Sequence, residues 1–190
     1  MKLDRILPFA KKLLENAITS GDAAVDATVG NGHDTLFLAN LVGENGTVYG
    51  FDVQEDAIRT STEKLNQHGL ANRVTVFHAG HEQLARLIPA NHHGKVKAAI
   101  FNLGYLPGSD KSIVTKPETT ISAIDQLLEI MVPEGIIILV IYHGHAEGAI
   151  ERDALLRYCQ EIDQKKAHVL QYRFMNQQNN PPFIVAIEKR

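Results

Sequence analysis

The sequence has one cysteine and no tryptophan among its 190 residues. A lone Cys159 excludes an internal disulfide framework and any metal site built from cysteines. Because its segment has a helical pattern, this thiol is expected to pack in the core rather than to react. The composition therefore predicts a protein of a reducing, cytoplasmic compartment.

Long apolar runs and an excess of positive charge are also missing. The longest apolar run, Ile136 to Ile141, falls far short of the roughly 18 residues that span a bilayer. The N-terminal stretch MKLDRILPFAKKLLENAI is charged throughout and lacks a small-residue cleavage site, so neither a signal peptide nor a membrane partner is expected. A formal net charge of −3 argues against a general nucleic-acid coat protein, but it is compatible with an enzyme that grips RNA through one basic patch.

Strand patterns alternate with helix patterns along the chain, which predicts an α/β fold with a parallel, doubly wound sheet. Strands are predicted at 23–28, 46–53, 74–78, 96–102 and 136–142, followed by a hairpin of 168–174 and 183–188. Helices are predicted at 3–18, from the glycine turn to 41, and at 55–68, 118–131 and 147–164. We expect one domain over residues 1–190, with an N-terminal helix within residues 1–20 packed on a seven-stranded, mostly parallel sheet that closes with an antiparallel hairpin strand.

The stretch VDATVGNGHDT, residues 25–35, leads a buried-looking strand into a glycine-rich turn. Gly30 and Gly32 suit a turn that brings backbone N–H groups close to a nucleotide, although a plain β–α turn is the alternative interpretation. Asp52 ends the second strand, where an acid can accept ribose hydroxyls. Thr35 stands in place of the third glycine of a dinucleotide fingerprint, and Asp26 would repel a pyrophosphate. These residues indicate an adenosine with a cationic tail, as in S-adenosylmethionine.

Four segments in order carry a family resemblance: DATVGNGHDT, NLGYLPG, TKPETTISAI and YHGHAEGAIE. They resemble the MnmM-type tRNA methyltransferases, long labelled rRNA methylases, within the Rossmann-like class I methyltransferases that use S-adenosylmethionine. The resemblance covers nearly the whole chain. It implies N-methylation of the 5-aminomethyl group of wobble uridine 34 in the tRNA anticodon loop, giving 5-methylaminomethyl-(2-thio)uridine. A methyltransferase for rRNA, a protein or a small-molecule amine is the alternative.

The resemblance also implies a set of cofactor-binding residues. The first two motifs assign Asp26, Thr28, Gly30, Asn31, Gly32, Asp34, Thr35, Asp52 and Val53, and the later ones Gly80, His81, Glu82, Asn102, Leu103 and Gly104. Many relatives have an acid next to adenine in the third motif. Here His81 stands at that position, so the adenine contact is open between His81 and Glu82.

The fourth motif indicates an amine as the methyl acceptor. Asn102 and the carbonyl of Leu103 can accept the N–H bonds of an amine, and Tyr105 can stack on the base. An alkyl amine with a pKa near 10 must also lose a proton, which costs roughly 4 kcal/mol at pH 7. Tyr142 and His143 are the nearest candidates to accept that proton, with Tyr105 as the alternative. Asn102, Tyr105, Tyr142 and His143 are therefore the predicted catalytic residues.

The substrate face is predicted from the segments after the fourth motif and after the fifth strand. It contains Tyr105, Lys111, Thr115, Lys116, Thr119, Tyr142, His143, His145 and Arg152. The basic members would meet tRNA phosphates, although a solvated surface charge is the alternative for each. His143 and His145 on one loop are weak evidence for a metal, so none is expected. The sequence does not set the oligomeric state, and a homodimer is compatible with it.

Overall fold

Seven strands form one sheet in the order β3-β2-β1-β4-β5-β7-β6. The computed structural model describes residues 2–104 and 114–190. The strands are β1 Ala23–Asp26, β2 Thr47–Asp52, β3 Val74–His78, β4 Val96–Leu103, β5 Met131–Ile141, β6 Ala167–Tyr172 and β7 Phe183–Lys189. The helices are α1 Ile6–Ala17, α2 His33–Leu41, α3 Glu55–Gln67, α4 Leu84–Leu87, α5 Pro117–Ile130 and α6 Ala146–Glu161.

Strands β1 to β5 pair in parallel, and β1 lies between β2 and β4. The chain leaves β3 at one edge and returns at β4 on the other side of β1. This reversal opens a crevice at the carboxyl ends of β1 and β4, where open α/β sheets bind their ligands. The closing hairpin adds β7 antiparallel to β5 and β6 antiparallel to β7. The predicted seven-stranded, mostly parallel sheet with an antiparallel C-terminal hairpin is confirmed.

Alternating side chains of β5 face the two halves of the core. Ile138 and Val140 pack in a cluster with α1 and α2, while Leu139 and Ile141 pack in a cluster with α5 and α6. A strand that is buried on both faces has a continuous apolar sequence, which is why polar and apolar residues do not alternate in 136–141. On the first face α1 contributes Leu14, a fully buried side chain.

The main departure from the predicted elements lies at β5. This strand begins at Met131 and not at Ile136, because Met131 pairs with Val96 before the register shifts and pairing resumes between Ala98 and Ile136. Glu134 within the shift has a φ of 61°. The short α4 was not predicted, since four residues show no helical periodicity. Within the residues described, no helix is long and apolar enough to cross a membrane.

Candidate functional site

A cavity of about 1200 Å³ lies along the carboxyl ends of β1, β2, β4 and β5. Among the predicted site residues, its lining includes Thr28, Gly30, Asn31, Asp34, Asp52, Val53, Gly80, His81, Glu82, Asn102, Gly104, Thr115, Lys116, Thr119, Tyr142, His143 and His145. The two ends of this cavity differ in character. The first follows the glycine turn and β2, whereas the second lies between β4, β5 and the start of α5.

The glycine turn requires glycine for two separate reasons. Gly30 and Gly32 have φ values of 50° and 72°, in the left-handed region that L side chains rarely adopt. A Cβ at Gly32 would also lie 2.8 Å from the Cβ of Ser61 on α3. The absence of a side chain at Gly32 therefore lets α2 begin directly against α3, while Gly30 and Asn31 of the same turn line the cavity.

Asp26 at the end of β1 is a fully buried carboxylate behind this turn. Its Oδ2 accepts a 2.6 Å hydrogen bond from the Thr35 hydroxyl, and its Oδ1 accepts from the N–H of Thr28 at 3.2 Å. Burial, with the nearby charges of Asp34 and Asp52, raises the pKa of Asp26 to about 7. The hydrogen bonds from Thr35 and Thr28 act in the opposite direction, and a cation in the cavity would favour the ionised form further.

Asp52 links the end of β2 to the glycine turn. One carboxylate oxygen accepts the N–H of Gly30 at 2.8 Å, and the other accepts the N–H of Gln54 at 2.9 Å. Each oxygen keeps a further lone pair, so a diol can still bind to the same carboxylate. The next residue, Val53, is 56% exposed beside it and offers an apolar surface to a flat ring.

The third motif places two different groups at the cavity. His81 is buried, and its Nδ1 donates to the carbonyl of Ala27 at 2.9 Å, while its Nε2 has no hydrogen-bond partner among the residues that the structure describes. Burial lowers the pKa of His81, which keeps the ring neutral. The Glu82 carboxylate instead folds over Gly80, where an added Cβ would lie 2.2 Å from Oε2. His81 thus holds the segment after β1, and Glu82 is the more accessible acceptor.

Asn102 at the end of β4 is oriented by two contacts. Its backbone N–H donates to the Thr28 hydroxyl at 2.7 Å, and its Nδ2 donates to Oδ2 of Asp34 at 2.7 Å. A carboxylate can only accept, so the NH₂ of the amide must face Asp34. The amide oxygen is consequently turned away from Asp34, as an acceptor for a donor on the other side.

Beyond Asn102 the fourth motif is tied to β5 and to the start of α5. The carbonyl of Leu103 accepts the N–H of Tyr142 at 3.1 Å, which leaves one lone pair for a substrate. Gly104 donates its N–H to the hydroxyl of Thr115 and accepts the N–H of Thr115 through its carbonyl. Burial and the charge of Asp34 raise the pKa of Tyr142, so its phenol is neutral and can act as donor or acceptor.

His143 is 4% exposed and has both ring nitrogens engaged. Its Nε2 lies 3.1 Å from the carbonyl of Pro181, and its Nδ1 lies 3.3 Å from Nη1 of Arg152. Since arginine only donates and a carbonyl only accepts, the ring carries its proton on Nε2. Burial and the charge of Arg152 lower the pKa of this histidine.

The remaining predicted residues fall into three groups. Lys116 and Thr119 line the cavity from the start of α5, and His145 lines it at the start of α6. Five predicted residues lie behind the lining, where each contacts a lining residue or is next to one in the chain: Asp26, Gly32, Thr35, Leu103 and Arg152. Tyr105 and Lys111 lie outside the described residues.

Several lining residues were not predicted. Leu7 and Lys11 reach the cavity from α1, His33 from α2, and Asn180 from the turn between β6 and β7. The helical periodicity of α1 does not say which end of the sheet this helix covers. In the part of the chain that the structure describes, no group of three or more His, Cys, Asp or Glu side chains could hold a metal ion.

The side chains at the cavity fit a cationic adenosine ligand better than a dinucleotide. Asp34 and Asp52 line the cavity, Asp26 lies buried behind the glycine turn, and their negative charges would repel a pyrophosphate. The same charges attract a sulfonium and an ammonium. The exposed Val53 and the acceptor on Glu82 suit an adenine ring.

Comparison with known proteins gives a consistent result. The family model described as "Putative rRNA methylase" matches residues 48–188. A chloroplastic tRNA (mnm(5)s(2)U34)-methyltransferase of Arabidopsis thaliana is 40% identical over 149 residues, 74% of this chain and 54% of that protein. A ribosomal RNA small subunit methyltransferase H of Frankia casuarinae is 35% identical over 106 residues, 55% of this chain and 31% of that protein. The chain thus spans about half of the first relative and a third of the second.

Solved structures agree over the full length. A "putative rRNA-methylase" from Clostridium thermocellum is 45% identical with a TM-score of 0.96, and the match covers 100% of both chains. A "putative methyltransferase" from Streptococcus mutans, in complex with SAH, is 38% identical with a TM-score of 0.89 over 99% of both chains.

Proposed function

Since the chain belongs to the family described as "Putative rRNA methylase", a family of Rossmann-like methyltransferases, we propose that it transfers a methyl group from S-adenosylmethionine to an RNA amine. The proposed acceptor is the 5-aminomethyl group of wobble uridine 34 in a tRNA anticodon loop. The name of the Arabidopsis relative supports this substrate over rRNA, a protein or a small-molecule amine.

The observation that carries the proposal is the orientation of Asn102. Its NH₂ group is held by Asp34, so its oxygen is the group left to accept an N–H from an incoming amine. A neutral primary amine has two N–H donors, whereas a hydroxyl has one O–H donor, so two neighbouring acceptors suit an amine better than a hydroxyl. The second lone pair of the Leu103 carbonyl would accept another N–H and aim the nitrogen lone pair along the cavity.

The residues at the glycine-turn end of the cavity are proposed to bind the cofactor and fix its orientation. Asp52 would accept the ribose hydroxyls, Val53 would pack on adenine, and the Glu82 carboxylate would accept from the adenine amino group. Asp26 and Asp34 would attract the cationic methionine portion near the glycine turn. The bound cofactor supplies a methyl group already activated by its sulfonium, so the protein mainly has to align donor and acceptor.

The substrate amine must be neutral before it can accept a methyl group. A desolvated cavity beside a sulfonium lowers the pKa of an alkyl ammonium. We propose that the Tyr142 hydroxyl, 37% exposed at the cavity, contacts this amine and passes its proton towards solvent. His143 would have to give up its bond to Arg152 to accept a proton, so its proposed role is to position Arg152 at the substrate face.

The wider substrate surface is proposed to hold the anticodon loop. Lys116 and Thr119 lie at the cavity, Arg152 lies behind His143, and Lys111 and Tyr105 belong to the predicted contacts as well. A wobble base leaves its stack more cheaply in a loop than in a duplex. We also propose that residues 1–190 act as one domain. The proposed location is the cytoplasm, whereas the Arabidopsis relative is named chloroplastic. A homodimer is compatible with this proposal.

The decisive experiment incubates the protein with S-adenosylmethionine and tRNA that carries 5-aminomethyl-(2-thio)uridine, followed by nucleoside mass spectrometry. We expect conversion to the 5-methylaminomethyl nucleoside. Asn102→Ala should lower kcat by about 10²–10³-fold, the loss typical of removing one preorganised hydrogen-bonding group at a reacting centre, while SAH affinity changes by no more than about two-fold.

The matched control is Asn40→Ala, which removes an exposed amide on α2 whose NH₂ group donates to the Leu36 carbonyl of the same helix. This variant should turn over like the wild type. Methyl transfer to rRNA or to a small amine, with none to tRNA, would refute the proposed substrate. Full turnover by Asn102→Ala would refute the role of the amide.

A further inference from the structure

A buried carboxylate on α6 has no part in the site described so far. Glu151 is 2% exposed, although the residues on either side of it in α6, Ile150 and Arg152, both reach the surface. Its Oε1 accepts a hydrogen bond from the Thr120 hydroxyl at 2.8 Å, and its Oε2 accepts one from the Thr115 hydroxyl. Glu151 thus links α6 to both ends of the short segment that opens α5.

The contact with Thr115 continues into the fourth motif. Besides donating to Glu151, the Thr115 hydroxyl accepts the N–H of Gly104 at 3.1 Å. The two residues are also joined by the Thr115 N–H, which donates to the Gly104 carbonyl at 3.2 Å. Gly104 follows Asn102 and Leu103, the two groups proposed to receive the substrate amine.

The direction of this chain of hydrogen bonds depends on the charge of Glu151. A threonine hydroxyl has one proton, and an ionised carboxylate can only accept. The Thr115 hydroxyl therefore donates its proton to Glu151, and a lone pair of the same hydroxyl oxygen accepts the N–H of Gly104. With an amide in place of the carboxylate, the hydroxyl could turn round and leave the Gly104 N–H without its acceptor.

Holding this carboxylate in the core works against its ionisation. Burial raises the pKa of Glu151, and the charge of Glu118 adds to that effect, whereas the two threonine hydroxyls and the charge of His145 lower it. A contact needed only to join α5 and α6 could be made by apolar packing at a lower cost. The arrangement at Glu151 suits a hydrogen-bond chain of defined polarity.

We propose that Glu151 is a positioning residue for methyl transfer: through Thr115 it holds the backbone of Gly104, and so keeps Asn102 and Leu103 aligned with the acceptor amine. This inference rests on the proposed function for its effect on turnover. Its effect on the backbone of Gly104 is independent of the substrate and can be measured without one.

Four single variants, and the double variant that combines Glu151→Gln with Thr115→Val, test the proposal. Glu151→Gln keeps the size of the side chain, Thr115→Val removes the hydroxyl while keeping the shape, and Thr115→Ser restores the hydroxyl. Tyr158→Phe is the matched control, because the Tyr158 hydroxyl also joins α6 to α5, through Asp125, but far along the helices from the cavity. Each is assayed for kcat, KM, SAH affinity and amide hydrogen exchange of the peptide ending at Gly104.

We expect Glu151→Gln and Thr115→Val each to lower kcat about 10–100-fold, since small misplacements near reacting groups have effects of this size, with SAH affinity within about two-fold of wild type. The double variant should be no more than about two-fold slower than the worse single variant, because both remove the same path. Exchange at Gly104 should accelerate at least ten-fold in both. Thr115→Ser should regain most of the turnover and of the exchange protection that Thr115→Val loses, and Tyr158→Phe should behave like the wild type.

The outcomes separate the two proposals. Wild-type protein that leaves tRNA unmethylated would refute the proposed function, and exchange at Gly104 would still decide the role of Glu151. Unchanged exchange in Thr115→Val and Glu151→Gln would overturn the positioning role whatever the activity. A loss of kcat in Tyr158→Phe equal to that in Thr115→Val would also overturn it, since general loosening of α5 and α6 would then suffice.

Discussion

Asp26 shows at the scale of one residue how the site is matched to a cation. Its carboxyl is fully buried, and burial together with Asp34 and Asp52 raises its pKa to about 7. In the unfolded chain an aspartate ionises near 3.8. The stability gained from burying the neutral acid is therefore full below pH 3.8 and is lost as the pH rises towards about 7.

Asp26 also makes cofactor binding depend on pH. A cationic ligand favours the ionised carboxylate, so below pH 7 binding must release a proton and weakens by up to about ten-fold per pH unit. We expect the affinity for S-adenosylmethionine to rise about ten-fold between pH 5.5 and 7.5, measured by titration calorimetry. In Asp26→Asn this dependence should disappear, because the amide does not titrate in this range.

Asp56→Asn serves as the control for Asp26→Asn. Its side chain is 78% exposed on α3 and pairs with Arg59, so its loss should leave the pH dependence as in the wild type. A pH dependence that persists in Asp26→Asn would assign the effect to another group and would contradict the role of this carboxylate.

The approach of α2 to α3 can be tested at the scale of elements. Gly32→Ala adds strain from a φ of 72° and a Cβ contact of 2.8 Å to the buried Ser61. The strain costs about 1–2 kcal/mol and the overpacking a further ~1–3 kcal/mol. We expect the free energy of unfolding to fall by about 2–5 kcal/mol in denaturant titrations, with weaker SAH binding.

Gly69→Ala isolates the two contributions. Gly69 follows the C-cap of α3 with a φ of 67°, yet an added Cβ there meets nothing within 4 Å. This variant should lose only the ~1–2 kcal/mol of backbone strain. Equal losses in Gly32→Ala and Gly69→Ala would show that α2 can move away from α3 without cost.

The elements that the sequence predicted well are those with a strong local signal. The strand 74–78 was predicted with the observed bounds, and α3 to within one residue, because Gly69 marks its end. The start of β5 was missed because Met131 joins the sheet only through its pairing with Val96, across 35 positions of chain. A register shift of this kind leaves no periodic signal in a single sequence.

The site divides in the same way. Asp52 and Asn102 could be expected at the cavity because both end parallel strands, and such ends meet at one edge of a sheet. Glu151 could not, since its contacts join α6 to Thr115, 36 positions away just before α5, and to Thr120, 31 positions away on α5. Side-chain contacts between helices depend on tertiary packing, which helical periodicity alone does not specify.

At the scale of the whole molecule, the cavity touches the ends of four strands, so a ligand there stabilises the fold by binding the native state alone. At about 100 times its Kd, a ligand adds ~2.7 kcal/mol, which for a chain of this size raises Tm by about 5–10 °C. We expect this shift with SAH and none with NAD at the same concentration, because Asp26, Asp34 and Asp52 would repel a pyrophosphate.

Asp52→Asn tests whether that stabilisation comes from the proposed site. The variant replaces one acceptor of the bonds from Gly30 and Gln54 by an NH₂ group, so it should weaken SAH about 10–100-fold and reduce the Tm shift at the same SAH concentration by about half or more. Asp56→Asn, with its exposed carboxylate, should keep the full shift. Equal Tm shifts from NAD and SAH would contradict a cavity selective for a cationic adenosine, and a full shift in Asp52→Asn would place the ligand elsewhere on the sheet.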